Sequence, residues 1–217
     1  AYEIGVRIVG SEMCIRDSIN SLSKKEMICG FAEILKHSII RDKIFFKWLK
    51  INSKLILSKN STALTHAIKK SCQIKIHFVT RDVNEKGLRM ILNFGHTFAH
   101  AIEAKNNFTK KITHGEAVLT GMILAIKLSI LKKNCKKKTL NEVIKLYTDN
   151  GLIYTLKNIS NPNWLKSLIP FLKNDKKNTD EKINSLLLRK IGQADKPNKF
   201  KISSKDLKKF CKSITQF

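Results

Sequence analysis

Residues 87–103 read GLRMILNFGHTFAHAIE, and the spacing of their polar members decides the fold class. Arg89, Asn93, His96, His100 and Glu103 recur at intervals of four, three, four and three, which places all five along one stripe of an α-helix. The stretch therefore predicts a single long helix over about residues 85–104. Leu88, Ile91, Leu92, Phe94, Phe98, Ala99, Ala101 and Ile102 cover the rest of its circumference. A helix so largely apolar is buried, and its polar stripe then needs a compensating group such as a metal or a multiply charged ligand. The ordinary alternative for His96 and His100 is a solvated face or a pair of satisfied core histidines.

Outward from this stretch the pattern stays helical from Ser23 to about Lys157. Met27, Phe31, Ile34 and Leu35 mark one apolar face, Leu64, Ala67 and Ile68 another, and a second long helix is predicted over about residues 115–132. Three prolines and nine glycines leave room for long helices rather than many short strands, so the fold class is mainly α. After Pro162 comes a polar turn, NDKKNTDEK, and then an apolar run over residues 183–191 that suits a short strand or hairpin. Residues 1–18 fit neither period, and GSEMCIRDS resembles translated sequencing-adapter read-through. They are set aside as a non-native leader, and one domain is expected over residues 19–217.

The composition is that of a globular chain, 42% hydrophobic over 217 residues. Neither a run of roughly 20 apolar residues nor a signal-like leader is present, so a soluble, cytoplasmic protein without a membrane partner is expected. Five widely spaced cysteines without a Cys-x-x-Cys pair suit neither a disulfide framework nor a zinc finger. The net charge of +25 comes mostly from lysines spread along the chain. Nucleic-acid sites favour arginine forks and stacking aromatics, which the basic runs at 132–138 and 196–209 largely lack. A solvated basic surface is the expectation, with a basic helical binding module as the non-enzyme alternative.

Two further contexts carry chemistry. In THGEAVLTGM, His114 sits just before an apolar helix, where Gly115 allows close backbone approach; its ordinary role would be a helix cap. In GFAEILKH, Glu33 and Lys36 lie one turn apart, which elsewhere would be a plain surface ion pair. Two imidazoles and one carboxylate form the ligand set of an open catalytic zinc site. The His96–His100 spacing also occurs in zinc peptidases, but Thr97 stands where their catalytic glutamate would be, which removes that reading.

GFAEILKHSIIRD, KIHFVTRDVNEKGLRMILNFGHTFAHAIE, HGEAVLTGM and DKKN, in this order, closely resemble the dehydroquinate synthase family from residue 19 to the end. The resemblance implies metal ligands at Glu33, His96 and His114. It implies substrate contacts at Lys36, Lys75, Arg89, Asn93, His100 and Lys176 or Lys177, with His100, Lys36 and the acid Glu85 as catalytic groups. Ile19, Asn20, Ser21 and Leu22 resemble the tail of an NAD contact segment. The family joins an N-terminal Rossmann-like domain to a helical domain, and only the helical half is represented here, without a Gly-rich dinucleotide loop. A truncated chain, inactive by itself, is the expectation.

The reaction implied belongs to the shikimate pathway of aromatic amino-acid biosynthesis. The seven-carbon keto-acid phosphate DAHP is oxidised by NAD, loses phosphate, is reduced again and closes by an aldol step to 3-dehydroquinate. Zinc is the implied metal, with cobalt or another divalent ion able to replace it, and the full-length enzyme is implied to be a homodimer. Another sugar-phosphate cyclase, or a metal-dependent polyol dehydrogenase, would share much of this architecture.

Overall fold

Ser23 opens a long helix: its hydroxyl accepts from the Glu26 amide, and the Glu26 carboxylate accepts from the Ser23 amide. This reciprocal capping box starts α1 (Lys24–Arg41). Asp42 ends α1 and begins α2 (Lys43–Leu57), its carboxylate accepting from the amides of Ile44 and Phe45. Asn60 caps α3 (Ser61–Val79) by accepting from Ala63. The computed structural model describes residues 19–109, 111–173 and 182–213. Within them follow α4 (His96–Lys105), α5 (His114–Leu131), α6 (Lys137–Asp149), α7 (Pro162–Lys166), α8 (Ile169–Lys173) and α9 (Ser204–Ser213), with 3-10 turns at Leu88–Asn93 and Ile153–Leu156.

The core forms around α5, which packs against α1, α4 and α6. Its length and hydropathy would suffice to cross a membrane, but 78% of it is buried inside the fold, as for the central helix of a bundle. Met27, Phe31, Ile34 and Leu35 of α1 and Leu64 and Ala67 of α3 are buried in the same core, with Ile68 half-buried.

The single helix expected over residues 85–104 is not there. Leu88–Asn93 is a 3-10 turn, and the chain breaks at Gly95, whose φ of 82° lies in the left-handed region, before α4 begins. Packing dictates the break. A Cβ on Gly95 would lie 2.9 Å from the Met122 amide nitrogen, and one on Gly121 would lie 2.2 Å from the Gly95 carbonyl oxygen. The two backbones touch because both residues are glycine. Arg89 and Asn93 therefore share no helix with His96, His100 and Glu103.

The apolar run 183–191 also divides. β1 (Lys182–Asn184) pairs antiparallel with β4 (Lys201–Ser203), while β2 (Leu188–Lys190) forms an irregular hairpin with β3 (Gln193–Ala194). The hairpin docks on the end of α1, where the Gly192 amide donates to the Ile39 carbonyl at 2.7 Å.

Candidate metal centre

α1 and the first residues of α4 and α5 bring Glu33, His96 and His114 together: one ligand atom of each lies within 4.8 Å of the others. The backbone explains why. Gly115 meets α1 so closely that a Cβ there would sit 2.3 Å from the Cys29 Cα, which brings His114 beside the turn of α1 that carries Glu33. Thr113, not His114, caps α5, in a capping box with Glu116, so His114 is the first helical residue and its imidazole has no capping duty.

The donor atoms suit a cation. His96 Nδ1 lies 3.4 Å from the Phe94 carbonyl oxygen; a carbonyl can only accept, so Nδ1 carries the hydrogen and Nε2 keeps its lone pair. That Nε2 faces Glu33 Oε1 at 3.8 Å. Oε1 is buried and receives no hydrogen bond, whereas Oε2 binds the Lys36 ammonium at 2.6 Å. Two electron-rich atoms facing each other, one of them a buried orphan, are the arrangement a divalent ion would resolve.

The electrostatics agree. Burial, and then the nearby Lys36 charge, push the His96 imidazole down to about 4, so it is neutral, the ligating form, near pH 7. Burial alone would raise the Glu33 carboxyl, but Lys36 and the neighbouring histidines outweigh it and hold the group below the usual carboxylate range. Lys36 itself is lowered by burial against the opposing pull of Glu33. His37 is also held at about 4 by burial and by Lys36, and its Nδ1 meets Ser71 Oγ at 2.6 Å, tying α1 to α3. His37 lies inside GFAEILKH, but neither its spacing nor the resemblance singles it out.

Other residues singled out from the sequence fall into separate groups. The His100 ring stands 5.6 Å from the His96 ring, about as far as the His114 ring does at 5.5 Å, but His100 is not among the three residues whose donor atoms converge, so it borders the centre. Lys75 of α3 lies close enough to lower the affinity of Lys36 and His37 for protons. Arg89 turns instead to the preceding loop, donating to the Val83 carbonyl at 2.8 Å, and Asn93 donates to Glu85 Oε1 at 2.7 Å. Glu85 holds a left-handed φ of 52°, uncommon without glycine. Asn20 and Leu22 offer their carbonyls to Lys59 Nζ at 2.7 and 2.6 Å, which fastens residues 19–22 to the α2–α3 turn. Lys176 and Lys177, like residues 1–18, lie outside the described residues. Beside His114 an open pocket of about 370 Å³ is lined by Lys25, Glu103, Phe108, Thr109, Ile112 and Thr113.

A family model described as 3-dehydroquinate synthase C-terminal matches residues 30–178. The chain belongs to that family. Two relatives named 3-dehydroquinate synthase show how far the dehydroquinate synthase likeness extends. One, from Pelagibacter ubique (strain HTCC1062), is 40% identical over 200 residues, covering 87% of this chain and 53% of the relative. The other, from Thermoanaerobacter pseudethanolicus (strain ATCC 33223 / 39E), is 39% identical, covering 82% of this chain and 48% of the relative. The chain thus spans about half the length of the curated relatives it matches. Among solved structures, a 2-deoxy-scyllo-inosose synthase complexed with carbaglucose-6-phosphate, NAD+ and Co2+ superposes with a TM-score of 0.74 at 21% identity. It covers 89% of this chain and 53% of that one. A 2-epi-5-epi-valiolone synthase from Streptomyces hygroscopicus subsp. jinggangensis 5008 with NAD+ and Zn2+ bound gives 0.72 at 20% identity, covering 90% of this chain and 53% of that one. The helical architecture is therefore that of the dehydroquinate synthase C-terminal domain and of sugar-phosphate cyclases more widely.

Proposed function

We propose that this chain supplies the helical, metal-holding half of a 3-dehydroquinate synthase active site, a phosphorus-oxygen lyase centre that turns DAHP into 3-dehydroquinate and phosphate with NAD recycled. The observation that carries the reading is the buried, unpartnered Glu33 Oε1 facing the His96 Nε2 lone pair, with His114 in reach of both. Relatives near 40% identity bear this enzyme's name, whereas the cyclases that superpose on the fold are only 20–21% identical, which favours this member of the class.

Glu33, His96 and His114 would hold zinc, or cobalt in its place, as an open three-ligand site. Bound there, the ion would polarise a substrate hydroxyl and ease loss of its proton. Lys36 and Lys75 offer point charges to an anionic substrate, and Arg89 offers a planar fork once released from Val83. Asn93, oriented by Glu85, provides a neutral hydrogen-bonding group. His100 borders the centre without belonging to the three-ligand set, where an imidazole can accept or return a proton. In this reading NAD sits on a nucleotide-binding half, with Ile19, Asn20, Ser21 and Leu22 at its edge, in a cytoplasmic homodimer.

The test joins this chain to the nucleotide-binding half of the Pelagibacter relative and follows phosphate release from DAHP. Release that needs NAD, stops with a chelator and leaves no net NADH supports the reading. Accumulation of NADH from a polyol without phosphate release would favour the polyol dehydrogenase instead.

A further inference from the structure

Glu103 lies on the face of α4 that carries His96 and His100, yet belongs neither to the three-ligand set nor to the substrate-facing groups. We propose that Glu103 is a positioning residue that fixes the tautomer and orientation of His114 for metal binding; this rests on Glu33, His96 and His114 being the ligand set. Its Oε1 lies 2.9 Å from His114 Nδ1. A carboxylate can only accept, so Nδ1 carries the hydrogen and the lone pair is left on Nε2. The Phe94 carbonyl imposes the same tautomer on His96, so both imidazoles present Nε2.

His114 needs this hold more than His96 does. Its side chain is 47% exposed, against 14% for His96, so as the first residue of α5 it is the less confined of the two rings. Glu103 is better anchored, 16% exposed, on the face of α4 that also carries His96 and His100. A plain ion pair at such a surface contributes little to stability and nothing to metal affinity. An orienting carboxylate behind a ligating imidazole commonly accounts for about 10- to 100-fold in metal affinity.

Zinc affinity of the whole 217-residue chain, measured by competition with a chromophoric chelator, separates the two roles, with His96→Ala as the reference for the ligand set. Glu103→Gln is expected to weaken zinc binding by about 10-fold or more, Glu103→Asp to recover part of it, and the metal-free melting temperature to stay within the wild-type range. In parallel, ¹⁵N NMR of the metal-free chain above pH 8 should show His114 protonated on Nδ1 in the wild type and mixed tautomers in Glu103→Gln. Unchanged zinc affinity in Glu103→Gln, with binding abolished in His96→Ala, overturns the positioning role and leaves the ligand set standing. Unchanged affinity in His96→Ala, or a wild type that binds no zinc, overturns both. Loss of affinity in Glu103→Gln with an equally lowered melting temperature and an unmixed His114 tautomer also overturns it, since that would be a structural effect.

Discussion

Acidification from pH 7.5 to 5 loads protons onto the unfolded chain at two histidines that resist protonation in the fold. His96 and His37 are each lowered from 6.5 to about 4, first by burial and then by Lys36. In the unfolded chain both rings charge as the pH passes 6.5, while in the fold they stay neutral to about 4. The unfolded state thus binds more protons between those values, and stability falls as pH falls through that window. With a shift of this size, each ring accounts for about 2 kcal/mol lost between pH 7.5 and 5, and about 3 kcal/mol once the pH drops below 4. The Glu33 carboxyl, held below its usual range, adds a loss of the same sign at still lower pH. Urea unfolding in a chelator, so that metal does not contribute, reads this directly. The wild-type chain should lose about 4 kcal/mol from pH 7.5 to 5 through the two rings. His37→Gln and His96→Asn should each shed about half of that pH dependence, whatever they do to stability at pH 7.5. Variants as steeply pH-dependent as the wild type would refute the electrostatic account of this site.

Two further outcomes test how the fold places the ligands. Gly115→Ala puts a methyl 2.3 Å from the Cys29 Cα, a main-chain atom that cannot rotate away, so α5 must lift from α1. Urea unfolding should show a loss of about 3 kcal/mol or more, and zinc titration a weaker site as His114 leaves Glu33; wild-type behaviour in both would contradict the close approach. Thr113→Ala removes the hydroxyl that accepts from the Glu116 amide and donates to its carboxylate. About 1 kcal/mol should be lost in chemical unfolding, and no loss would mean that α5 does not depend on its capping box.

Glu33, His96 and His114 are singled out by the resemblance of GFAEILKH, FGHTFAH and HGEAVLTGM to the family's motifs, while the local pattern of each also allows an ion pair, a core histidine or a helix cap; their convergence is visible only in the fold. The helical character of the chain was legible from its apolar periodicity. The break at Gly95 was not, because a four-and-three spacing of polar residues runs on through it. Only the contact with Gly121, 26 positions later, requires a left-handed residue there, and a contact so distant leaves no local pattern. The division of residues 183–191 was hidden for the same reason: the partner of β1 is β4, beyond the hairpin. The pairing of Glu103 with His114 joins two helices, and spacing along either helix does not reveal it.

Zinc content after gel filtration of the purified 217-residue chain, measured by inductively coupled plasma mass spectrometry beside His96→Ala and His100→Asn, bears most directly on the central claim. The account predicts stoichiometric zinc in the wild type and in His100→Asn, and its loss from His96→Ala, because His96 Nε2 faces the orphaned Glu33 Oε1 while His100 only borders the centre. Equal zinc in the wild type and both variants would place the metal elsewhere, and equal loss in both variants would mean that His100 is a ligand too.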